Sequence, residues 1–99
     1  MPTFEVSEAF RRDVASLAPG QYARFQVAVR RFIEDLRAIE AGEQVGFRPG
    51  LRVKRVWGTS GLYEMTWSPD GRATFSWGEP IRRGAKHIEW IRCGDHSIL

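Results

Sequence analysis

The stretch GLYEMTWSPDGRATFSWG, residues 61 to 78, alternates apolar and polar side chains on both sides of a turn signal, and its reading decides the fold. Strand side chains point to opposite faces with a period of two, so Tyr63, Met65 and Trp67 share one face and Glu64, Thr66 and Ser68 the other. A type I turn over Ser68-Pro69-Asp70-Gly71, with proline pre-setting φ and a left-handed glycine closing it, predicts four pairs. These are Ser68 with Arg72, Trp67 with Ala73, Met65 with Phe75 and Tyr63 with Trp77. One face of the hairpin is then wholly apolar. The other carries Glu64, Thr66, Arg72, Thr74 and Ser76, a set that suits a solvated sheet and equally the lining of a shallow polar site.

Upstream the period changes. TFEV at 3–6 alternates briefly and runs into Ser7, a predicted N-cap with Glu8 in the first turn of a short helix. Phe10, Val14 and Leu17 fall three and four apart on that helix, and Pro19-Gly20 stops it. QYARFQVAVRRFIEDLRAIEAG at 21–42 then places Tyr22, Phe25, Val29, Phe32, Ile33, Leu36 and Ile39 on one stripe and ends at Gly42. Two helices joined this tightly form an αα hairpin, and a stripe that long needs a sheet face to cover.

LRVKRVW at 51–57, the opening hairpin, and KHIEWIRC at 86–93 read as four strands separated by glycine-rich breaks. The outer two do not alternate cleanly. Val53 and Val56 fall on opposite faces, as do Trp90 and Ile91; a bulge near Lys54-Arg55, or burial of both faces, accounts for this. The whole is a single α+β domain over residues 1–99, with two helices on one face of a twisted, mainly antiparallel sheet in the order β-α-α-β-β-β.

Ninety-nine residues suffice for one core without staples. The lone cysteine, Cys93, has no partner for an internal disulfide, and MPTFEVSEAF contains no apolar run of signal-peptide or membrane-span length, so a cytoplasmic setting is expected. The net charge of +3 is unevenly placed: residues 1–42 balance six basic against six acidic groups, and the sheet half holds the excess. RPGLRVKR at 48–55 contributes Arg48, Arg52, Lys54 and Arg55 without an acid, and RRGAK at 82–86 contributes Arg82, Arg83 and Lys86. Such clusters suit a polyanion, although solvated cations are also the commonest surface residues.

The sequence holds no phosphate loop and no paired-cysteine zinc spacing, and His87 and His96 are too few and too far apart to argue for a metal. Asp95-His96-Ser97 are consecutive, so their side chains cannot converge as a hydrolase triad. Acid-base chemistry remains, with Glu64 expected to be exposed on the polar sheet face and His96 just past the last strand. Of the aromatic residues, those on the hairpin's apolar face read as core, and Trp57 is kept as a base-stacking platform.

The element order and two stretches, FRPGLRVKRVWGTSGLYEMTW at 47–67 and HIEWIRCGDHSIL at 87–99, resemble the RelE/ParE superfamily of bacterial toxin-antitoxin toxins. The first is similar to that family's basic strand, glycine break and following strand; the second to its closing strand and Gly-x-His tail. A RelE-like resemblance implies a cofactor-free, ribosome-associated endonuclease that cuts mRNA and is neutralised by a cognate antitoxin. ParE-like members share the fold and inhibit DNA gyrase instead. Carried over by position, the resemblance implies Lys54 and Arg55 as phosphate binders, with Arg48 and Arg72 beside them, Glu64 as base and His96 as acid. Glu64 stands where the family commonly has arginine, and Leu99 where it has a terminal aromatic ring.

Overall fold

A computed structural model describes all residues, 1–99. It contains β1 (Thr3–Val6), α1 (Glu8–Ala15), α2 (Pro19–Glu40), β2 (Lys54–Arg55), β3 (Tyr63–Thr66), β4 (Gly71–Gly78) and β5 (His87–Asp95). Short 3-10 turns cover Pro49–Leu51 and His96–Ile98. The five strands lie in the order β1-β5-β4-β3-β2; β1 runs parallel to β5 and every other pair is antiparallel. No helix is long and apolar enough to cross a membrane.

Local chemistry explains the helix ends. Ser7 caps α1 by accepting the Phe10 N–H at 3.0 Å, while its own hydroxyl donates to the Ile91 carbonyl at 2.7 Å and ties the helix to β5. Pro19 opens α2 at its first position rather than merely closing α1, and the Gln21 side chain accepts the Ala18 N–H at 3.0 Å. Gly42, with φ of 74°, follows the last turn in the left-handed region that favours glycine.

The helices cover one face of the sheet. Phe32 is wholly buried and packs between Phe47 at 4.6 Å, Trp90 at 5.0 Å and Phe75 at 5.1 Å between ring centroids. Phe10 of α1 stacks on Trp90 at 5.6 Å, and Phe25 of α2 meets Trp67 edge-on at 6.0 Å. Met65, Ala73, Phe75 and Ile88 are fully buried beneath them. Tyr22, expected on the buried stripe, is 42% exposed.

The hairpin register differs from the sequence expectation by two residues. Thr66 pairs with Arg72, Met65 with Ala73, Glu64 with Thr74 and Tyr63 with Phe75. An even shift preserves the faces, so the apolar and polar sets stand as read. Gly71 does not adopt a positive φ. It is needed for close approach instead: a Cβ there would lie 2.5 Å from the Trp67 ring. The irregular strand is β5, where Thr74 pairs with Arg92 but Phe75 with Trp90, leaving Ile91 as the extra residue of a bulge. The bulge lets Trp90 and Cys93 both face the core.

Phe32→Ala removes the ring that holds α2 to the sheet, with an expected loss of about 3–5 kcal/mol, a large share of a small domain's stability. Denaturant unfolding measures it; an unchanged midpoint would contradict this packing.

Candidate active site on the polar sheet face

Opposite the helices, cross-strand pairing brings Lys54, Glu64 and Thr74 side by side on β2, β3 and β4, with Thr66 and Arg72 one pair further along the same face. Glu64 is only 5% exposed, contrary to the open carboxylate expected from the sequence, because the neighbouring strands crowd it and Arg72 approaches. The Arg72 Nε lies 3.7 Å from the Glu64 carboxylate, while its Nη1 donates to the carbonyls of Ser68, Pro69 and Gly71 at 2.9–3.3 Å. The hairpin turn thus fixes the guanidinium.

His96 lies apart from these side chains, at the hairpin turn. It follows Asp95, which pairs with Gly71, and its Nδ1 hydrogen-bonds the Asp70 carboxylate in the turn. The side chain is 70% exposed. Asp70 raises the imidazole's pKa above its ordinary value, and the nearby Arg72 charge works against that rise. Arg72 therefore acts electrostatically on both Glu64 and His96. Asp95 accepts the Ser97 N–H at 2.8 Å and caps the tail turn, so consecutive Asp95, His96 and Ser97 serve separate purposes.

The four basic residues expected to bind phosphate take different positions. Lys54 shares the Glu64 face; Arg55 pairs with Tyr63 and alternates to the other side of the same edge strand. Arg72 is in the group. Arg48 is not available to an anion: it forms an ion pair with buried Asp35 at 2.8 Å and with Glu34 at 3.0 Å, and its backbone N–H also donates to Asp35. Its role is structural, fastening the segment before β2 to α2. Nothing in the apolar stripe of α2 signals that Asp35 is buried and paired with a residue thirteen positions away.

Two other reactive side chains lie outside the group. Burial pushes the Cys93 thiol up to about 12, which leaves it protonated and unreactive. His87 is buried between the Thr3 hydroxyl at 2.7 Å and the Glu5 carboxylate at 2.9 Å, where it secures β1 to β5. Trp57 is 96% exposed in the β2–β3 loop, beyond the basic strand.

Neither the models of known protein families nor the curated proteins give a match to this sequence. Solved structures do. A YoeB/ParE toxin from Agrobacterium tumefaciens superposes with a TM-score of 0.63 at 11% identity, over 95% of this chain and 98% of the other. A copper-bound mutant toxin from Helicobacter pylori gives 0.61 at 14% identity, over 100% and 99%. YafQ from E. coli gives 0.56 at 14%, over 100% and 98%. The helix pair on a five-stranded sheet is a fold shared, over nearly the whole chain, with these toxin structures and with the RelB-RelE complex from Methanococcus jannaschii, which are RelE-like in fold.

Two substitutions test the geometry. Asp70→Asn removes the partner that favours protonated His96, so the imidazole should titrate at lower pH when followed by NMR; an unmoved titration would separate the pair. Arg48 holds the Asp35 carboxyl below its ordinary value, so their pairing stabilises the fold above about pH 4 and is lost as pH falls through the depressed value. Arg48→Ala should lower stability at neutral pH and weaken its dependence on acid, both read from unfolding midpoints across pH.

Proposed function

We propose that the protein is the toxin of a type II toxin-antitoxin system, acting in the cytoplasm as a ribosome-associated endonuclease that cuts mRNA. The observations that carry this reading are the Glu64–Arg72 pair on the polar face of a RelE-like sheet and His96, held by Asp70 at the adjoining hairpin turn. RNA cleavage needs no group beyond these. A base takes the proton of a ribose 2′-hydroxyl, the 2′-oxygen forms a bond to the adjacent phosphorus, and the bond from phosphorus to the 5′-oxygen breaks. Glu64 is the base in this scheme. Arg72, pre-oriented by three carbonyls, and Lys54 stabilise the additional negative charge on the phosphoryl oxygens. His96, whose protonated form Asp70 favours, gives its proton to the leaving 5′-oxygen. Arg55 on the edge strand adds a contact to the RNA backbone, and a cognate antitoxin neutralises the toxin.

The solved relatives support the partner assignment in kind: the E. coli DinJ-YafQ and Methanococcus jannaschii RelB-RelE structures are toxin-antitoxin complexes. A second reading is favoured by one observation. Glu64 is enclosed and faces Arg72, an arrangement that also suits a non-enzymatic, ParE-like member binding DNA gyrase.

His96→Ala should lower message cleavage in a translating extract by about 10²- to 10⁴-fold while unfolding as the parent does, since the side chain is exposed. Glu64→Gln should lower cleavage similarly, because it keeps shape but loses the basic carboxylate. Cleavage that survives both changes would reject these roles. Growth arrest with intact messages and broken DNA would support the gyrase reading.

A further inference from the structure

Between α2 and the hairpin turn runs a groove of about 490 Å³ whose charged lining is four arginines, Arg24, Arg31, Arg52 and Arg72, with Thr66 and Ser68 beside them. No acidic residue lines it. Arg24 and Arg31 are seven residues apart on α2, two turns, and therefore project on the same side of the helix. Arg24, Arg31 and Arg52 are exposed and none of them has an ion-pair partner. The acids nearest on the helix, Glu34 and Asp35, are engaged by Arg48, so they do not neutralise the groove. Arg52 is also the one non-glycine residue with a positive φ, 48°, at the end of the Pro49–Leu51 turn. Like charges gathered without counter-charges repel one another, and a polyanion relieves that repulsion.

We infer that this groove holds the phosphodiester backbone of the same RNA strand that is cut, beyond the scissile phosphate. The inference rests on the endonuclease reading and extends it. Arg72 is the link: it belongs both to the groove and to the pair with Glu64, so a strand at that site has a continuous basic path toward α2. Arg24 and Arg31 are about 10 Å apart along the helix axis, a span that takes about two or three backbone phosphates. The contacts are to phosphate and thus independent of sequence, which leaves base selection to the cleavage site.

The test uses fluorescent single-stranded RNA, 2′-O-methylated throughout so that it cannot be cut, in lengths of about three and about ten nucleotides. The parent should bind the longer RNA more tightly and with a steeper dependence on salt. In the triple variant Arg24→Gln, Arg31→Gln, Arg52→Gln the salt slope for the longer RNA should fall by about two units, at about 0.7 per phosphate contact, with the shorter RNA unaffected. A control with Arg11, Arg12 and Arg83 changed to glutamine loses the same charge outside the groove and should retain the parent slope. An unchanged slope in the groove variant, or an equal loss in the control, overturns the inference. So does a loss seen only with a duplex of the same length, which would assign the groove to structured RNA. If the parent cuts messages while its groove variant keeps the slope, only the groove assignment falls; a parent that binds neither RNA and cuts nothing removes the endonuclease reading with it.

Discussion

The polar face is placed by an interaction on the opposite side of the sheet. Phe32, on α2, packs against Phe47, Phe75 and Trp90, and so holds the loop before β2 together with β4 and β5. That contact fixes which side of every central strand is buried. Because strand side chains alternate, burying Met65, Ala73 and Phe75 forces Glu64, Arg72 and Thr74 to the other side. The bulge at Ile91 adapts β5 to the same requirement, since without it Trp90 and Cys93 could not both reach the core. A second link, from Arg48 to Asp35, adds a charge pair to the apolar contacts of Phe47 and Leu51 that secure the approach to β2.

Much of this was legible in the sequence because two periods repeat strongly. The stripe from Phe25 to Leu36 and the alternation around the Ser68–Gly71 turn gave the helix pair, the hairpin and its two faces. The turn register was missed by two residues because Gly71 was read for left-handed freedom, whereas it makes room for the Trp67 ring. Arg48 was read with its basic neighbours, although its charge is spent on Asp35, thirteen residues away in sequence. Local composition counts charges but does not pair them. The same limit hid the groove: Arg24 and Arg31 lie on α2 and Arg52 after a 3-10 turn, and only folding sets them around the hairpin.

Within the candidate site, Arg72 lies near Glu64 and its charge also reaches His96. It approaches Glu64 and opposes the protonation of His96, while Asp70 favours it. The hairpin turn thus supplies two charges of opposite sign, Asp70 to His96 and Arg72 to Glu64. Its geometry sets the electrostatics of the site as well as the pairing of β3 with β4.

The parallel pairing of β1 with β5 has a consequence for synthesis. Thr3 lies beside His87, and β5 is also the partner of β4, so one of the sheet's inner strands is made after all the others. While the chain is being translated, β1 has no neighbour and the aromatic cluster lacks Trp90. The nascent polypeptide can form its helices and its hairpin but cannot close the sheet, and the 3-10 turn bearing His96 emerges later still. The sheet therefore closes only once β5 has been made.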